Sequence, residues 1–138
     1  MKEGRKILFI LLVILTCTFL PTLATVPFAQ QDSTLVIREV LMKTSIAYLW
    51  LSPIIHVLTL ILLVSLYRYG SRVGRITSAF FGSLLLFMAF GNHIAVTENY
   101  GLVVITGNLV SISIVAMFWF WEASRPRNEY IFHKLPAW

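Results

Sequence analysis

Four apolar runs organise the chain, over about residues 7–29, 45–67, 76–96 and 101–121, with charged or turn-forming residues between them. Each is close to the ~20 residues that a helix needs to cross a ~30 Å hydrocarbon core. The pattern predicts an all-α fold: an integral membrane bundle of antiparallel helices with four apolar spans, or three if the first is removed. The first run has two readings. Lys2, Arg5 and Lys6 lead into an unbroken apolar stretch, and small residues with Pro21 and Pro27 follow before Gln30, which is the layout of a secretory signal peptide cut after Ala24. The same residues also read as a proline-interrupted first span. Both readings leave the orientation of everything downstream unchanged.

Residues 30–44 form the longest polar interval between runs. Asp32 or Ser33 is placed to cap a helix, and Ile37, Val40 and Leu41 recur at helical spacing, so this outer segment is expected to extend the second span. Glu39 and Lys43 stand four apart in the favourable order for a pair on a solvated helix. Residues 45–123 then form a three-helix bundle, and residues 124–138 a cytoplasmic tail that lies along the lipid interface or in a groove of a larger subunit.

Within the runs, polar and small residues fall on seams. At ~100° per residue, Ser45, Tyr48, Ser52, His56 and Thr59 share a stripe of the second span. Ser78, Gly82, Ala89 and Asn92 do so on the third, and Gly107, Asn108 and Ser111 on the fourth. Small residues let helices approach closely in lipid, and amides and hydroxyls bond across the contact, so the seams are expected to face protein, with Asn92 pairing with Asn108.

Charge sets the orientation. Nine of the 11 Lys and Arg residues fall on one side when the runs are threaded in order: Lys2, Arg5, Lys6; Arg68, Arg72, Arg75; Arg125, Arg127, Lys134. Only Arg38 and Lys43 lie opposite. Basic flanks stay in the cytoplasm, which puts the carboxyl terminus there and makes the chain a multi-pass protein of the cell membrane. A composition of 58% hydrophobic and 12% charged residues departs from the roughly 25% charged residues of a soluble domain. The net charge of +5 belongs to these flanks and points to anionic lipid head groups as partners, not to nucleic acid.

Chemistry is sparse. Cys17 stands alone, there is no His-x-x-x-His or His-Glu-x-x-His pattern, and residues 70–75 lack the Gly-Lys-Ser/Thr ending of a phosphate loop, so no metal or nucleotide site is expected. No catalytic triad can be assembled. Intramembrane ionisable residues are functional suspects, which singles out His56 and His93. Two histidines on adjacent helices are the minimum for a b-type haem, but counting from the helix ends sets them some ~9 Å apart in depth. A quinone or other small molecule lined by Tyr48, Trp50, His56 and His93 is geometrically less demanding.

These features favour a small accessory subunit, without catalysis or cofactor of its own, that packs against other integral membrane subunits. It would stabilise or assemble a larger complex such as a membrane-bound monooxygenase or a respiratory complex. Two alternatives stand beside it: an electron-transfer subunit binding haem or quinone through His56 and His93, and an oligomeric channel or transporter lined by Ser52, His56 and Thr59.

Overall fold

The structure is a computed structural model that describes residues 2–130, with side-chain surroundings for Arg5 and from Ile7 onward. The tail residues Ile131, Phe132, Lys134, Leu135 and Trp138 lie outside the described residues. The chain is mostly helical: α1 (Lys2–Thr18), α2 (Ser33–Tyr48), α3 (Ser52–Tyr69), α4 (Gly74–His93) and α5 (Thr106–Ser124). A 3-10 turn at Leu49–Leu51 joins α2 to α3, so that one helical stretch of 43 residues runs from Gln30 to Arg72. At ~1.5 Å per residue it is about 65 Å long. That stretch and Gly74–His93 are long and apolar enough to cross a membrane by length and composition; Ile7–Thr18 is a shorter apolar helix.

The helices are not the whole fold. Strands β1 (Leu23–Ala24), β2 (Ile94–Thr97) and β3 (Gly101–Val104) form an antiparallel sheet in the order β1-β3-β2. The third and fourth apolar runs thus leave the helix before their apolar residues end, at His93, and regain it only at Thr106. The residues between are rich in β-branched side chains, which fit a pleated surface better than a helix. Thr97 pairs with Gly101 across a three-residue loop, and Gly101 closes it at φ +66°, a left-handed conformation that favours glycine. A Cβ at Gly101 would also collide with Thr25 Oγ1.

This sheet is the floor of a folded cap. Residues 23–26 pair with β3: Leu23 is opposite Val104 and Ala24 opposite Val103, and the Thr25 and Val26 amides donate to Leu102 O and Tyr100 O at 3.0 and 3.1 Å. α2 lies over the sheet and buries Val36 and Val40, one turn apart, against Val103 and Ile105. Phe28 meets Tyr100 edge-on at 5.9 Å. The Glu39 carboxylate turns to the hairpin tip instead of to Lys43, accepting from the Glu98 amide at 3.1 Å and Asn99 Nδ2 at 3.2 Å. Neither Asp32 nor Ser33 caps α2 by its side chain. A 3-10 turn precedes the helix, so Asp32 has helical dihedrals (φ −88°, ψ −2°) in place of the extended ones a cap requires, and Ser33 Oγ donates back to Gln30 O.

Below the cap, α4 and α5 pack side by side. Gly82 sits under the Phe120 ring, where an added Cβ would come within 3.3 Å, and Phe81 meets Trp119 at 5.2 Å. α1 lies against α5. A Cβ on Gly107 would stand 2.5 Å from Thr18 O, and Ser111 Oγ donates to Ile14 O at 3.3 Å. α3 is the outlier: it touches α4 only lightly, and Leu66 is its one buried residue.

At the far end the chain turns through Gly70–Arg72. Gly70 has φ +58°, and a Cβ there would meet Tyr130 O at 2.7 Å, so both the backbone and the neighbour demand glycine. Residues after α5 fold back over this turn. The Glu122 carboxylate accepts from the Arg127 and Asn128 amides at 2.9 and 2.8 Å, and the Tyr130 amide donates to Ser71 Oγ at 2.9 Å.

Candidate functional site

Beside the junction of α2 and α3 lies a hollow that gathers several of the residues singled out in the sequence. Pro53 in the first turn of α3 has no N–H to continue the α2 ladder, and the 3-10 turn at Leu49–Leu51 interrupts that ladder just before it. Tyr48, at the end of α2, anchors this junction on α4: its ring meets Phe87 edge-on at 5.0 Å and lies over Gly91, where a Cβ would come within 3.4 Å. From there α3 departs from α4, and a groove of about 330 Å³ opens between them. Ser45, Tyr48, Ser52, His56, Phe87 and Asn92 are among its lining residues.

The His56 ring is held by its own helix. Nδ1 lies 2.7 Å from Ser52 O, a carbonyl that can only accept, so Nδ1 carries the proton and donates; Ser52 Oγ is 3.4 Å from the same nitrogen. In the neutral ring this leaves Nε2 as an acceptor. Ser45 Oγ, the Tyr48 hydroxyl and the Asn92 amide, which also line the groove, have no hydrogen bond among the described residues.

His93 is elsewhere. It ends α4 beneath the sheet, 6% exposed, with Nδ1 donating to Met88 O at 2.9 Å while its carbonyl accepts from the Ile105 amide. It does not line the groove that holds His56, so the two histidines do not converge on a common space. Trp50 is likewise absent from the groove lining and is exposed. Among the described residues, no three His, Cys, Asp or Glu side chains lie together.

The other seam residues divide into two groups. Ser78, Gly82, Gly107 and Ser111 are buried at the helix contacts. Asn108 is exposed and forms no bond with Asn92, because the helix phase at the start of α5 turns it away from α4 while Asn92 lines the groove. Thr59, one turn below His56, is half-buried. Ser78 Oγ is fully buried without a hydrogen-bond partner, although Thr77 beside it donates back to Val73 O. The hairpin tip, with Glu39 as its clamp, is the feature that sequence reasoning missed. Its signal was Asn99-Tyr100-Gly101 between β-branched residues.

No protein-family model matches the chain, and no curated protein or solved structure is significantly similar to it.

Proposed function

We propose that the chain is a multi-pass membrane subunit that packs against and stabilises or assembles a larger membrane complex, with no catalysis of its own. One observation carries the reading: burial in the helical part runs opposite to that of a protein in water. The residues α4 and α5 bury are Gly74, Thr77, Ser78, Gly82, Ala89, His93, Gly107, Ser111 and Ala116, with no large aliphatic side chain among them. The large apolar residues face outward, including Leu60, Ile61 and Val64 on α3 and Leu11, Leu12 and Leu15 on α1. An aqueous surface of this kind would be an extended sticky patch, whereas lipid or apolar protein accommodates it without cost.

α3 adds the second half of the reading. It exposes apolar residues around most of its circumference yet has little contact with its own bundle, which suits a helix that completes a packing surface on another subunit. The four-span form draws support from α1, whose backbone is fitted to Gly107, and from β1, both residues of which a cut after Ala24 would remove from the sheet. In this scheme the cap lies outside, and the turn at Gly70–Arg72 lies in the cytoplasm with Arg68, Arg75, Arg125 and Arg127 around it. Arg125 there stands over the Trp121 ring at 5.2 Å, the pairing of cation and aromatic that suits a head-group zone.

Native mass spectrometry after mild solubilisation tests the proposal. The chain should emerge bound to other integral membrane subunits, with a mass that includes α1. Recovery as a lone monomer under conditions that keep other membrane complexes intact would refute it.

A further inference from the structure

The groove beside Tyr48 combines an apolar lining with hydrogen-bonding groups that the protein leaves unused. Ser45, Tyr48, His56 and Asn92 line one space, and Ser45 Oγ, the Tyr48 hydroxyl, the Asn92 side-chain amide and His56 Nε2 have no partner among the described residues. A lipid chain filling the space would leave all of them unsatisfied in an apolar medium, which is costly. The occupant must therefore bring polar atoms of its own. Size narrows the choice further. A ring-sized head group fits, and the volume lies at the lower end of small-molecule sites.

The walls differ in character. On the α3 side, the Ser52 carbonyl holds the Nδ1 proton, so neutral His56 presents only an acceptor. On the α2 and α4 side, Tyr48 and Asn92 both offer donors, beside the Phe87 ring. A molecule matching both walls is flat and membrane-soluble, with a hydroxyl that donates at one end and an oxygen that accepts at the other. We propose that this groove binds the ring of a membrane-dissolved quinol, with one hydroxyl donating to His56 Nε2 and the opposite oxygen accepting from Asn92 and Tyr48. The isoprenoid tail leaves through the gap where α3 diverges from α4. His93 takes no part. The inference rests on the membrane placement proposed above but not on the assembly role.

The test uses the full chain in lipid nanodiscs, titrated with a benzoquinol carrying one isoprenoid unit and kept reduced. Saturable binding at one site is expected, and the oxidised quinone, which cannot donate to Nε2, should bind about tenfold more weakly. His56→Phe and Asn92→Leu should each weaken quinol binding about tenfold, whereas His56→Gln, which retains an acceptor, and His93→Gln should stay within about threefold. Thermal unfolding of each variant reports whether it folds, and the quinol-to-quinone ratio in the unmodified chain needs no variant at all. Absence of saturable binding would overturn the proposal. So would equal affinity for quinol and quinone, or equal competition by an isoprenoid hydrocarbon without a ring.

Discussion

The cap and the helical bundle of this chain obey opposite rules of burial. In the cap, Val36, Val40, Val103 and Ile105 form an aliphatic core, with Arg38, Glu98 and Asn99 at the surface beside exposed Leu35 and Val96. In the bundle, the buried residues of α4 and α5 are glycine, serine, threonine, alanine and His93, while most leucine and isoleucine side chains of α1 and α3 are exposed. One chain therefore has two kinds of stability. With the bundle in lipid as proposed, the cap would be held by removing aliphatic surface from water, and the bundle by close backbone approach at small residues. The boundary falls near Thr44 and His93, where Thr44 Oγ1 bonds Val40 O at 3.0 Å and α4 gives way to the sheet.

Mutations can break this contrast in graded steps. Gly107→Leu should have the largest effect: its side chain would run into the Thr18 and Cys17 carbonyls, separate α1 from α5 and cost more than about 3 kcal/mol. The loss should be read as a collapse of thermal stability in detergent. Next comes the cap core. Val103→Ala, at a position with 0% exposure, should cost about 2 kcal/mol, whereas Leu60→Ala on α3, 63% exposed, should change the chain's own stability by less than about 0.5 kcal/mol. Equal costs for the two would erase the distinction between the regions.

Ser78→Ala should act in the other direction. It removes a buried hydroxyl without a partner, so the α4–α5 pair should gain about 1 kcal/mol in denaturant titration, where a polar-to-apolar change in a needed contact would lose stability. Glu39→Gln keeps the shape of the clamp but removes its charge. It should raise hydrogen exchange at the Glu98 amide several-fold, with a cost near 1 kcal/mol confined to the cap.

The smallest effect belongs to the opposite end. The backbone amides of Asn128 and then Arg127 hold the Glu122 carboxyl below the usual carboxylate range. A carboxylate lowered on folding stabilises the folded form above its unfolded value, and that contribution disappears as pH falls through the folded one. The protection factors of the Arg127 and Asn128 amides, corrected for intrinsic exchange, should therefore fall only in acid, below the ordinary range for glutamate, and in Glu122→Gln should not change with pH.

The helical elements were legible because their apolar runs are long and their flanks charged. The small-residue positions Ser78, Gly82, Gly107 and Ser111 were legible for a related reason: spacing reveals which residues share a face, and size reveals which face permits approach. The sheet was not. Ile94, Val96, Val103 and Val104 continue the apolar runs without a break, and run length cannot distinguish a helix that persists from one that gives way to strands. Gly101 marked the turn, but a glycine at the head of an apolar run also reads as a helix boundary. That His56 and Asn92 line one groove while His93 does not depends on how α3 meets α4 after the 3-10 turn at Leu49–Leu51, which no sequence pattern fixes. The divergence of α3 was hidden for the same reason.

The central claim is that the outer surface of the bundle faces an apolar medium while the cap faces water. Spin labels placed singly at Leu60 and Glu98, in a Cys17→Ala background reconstituted in lipid, test it through collision with oxygen and with a water-soluble nickel chelate. Oxygen should dominate at Leu60 and the chelate at Glu98; free access of the chelate to Leu60 would contradict the account.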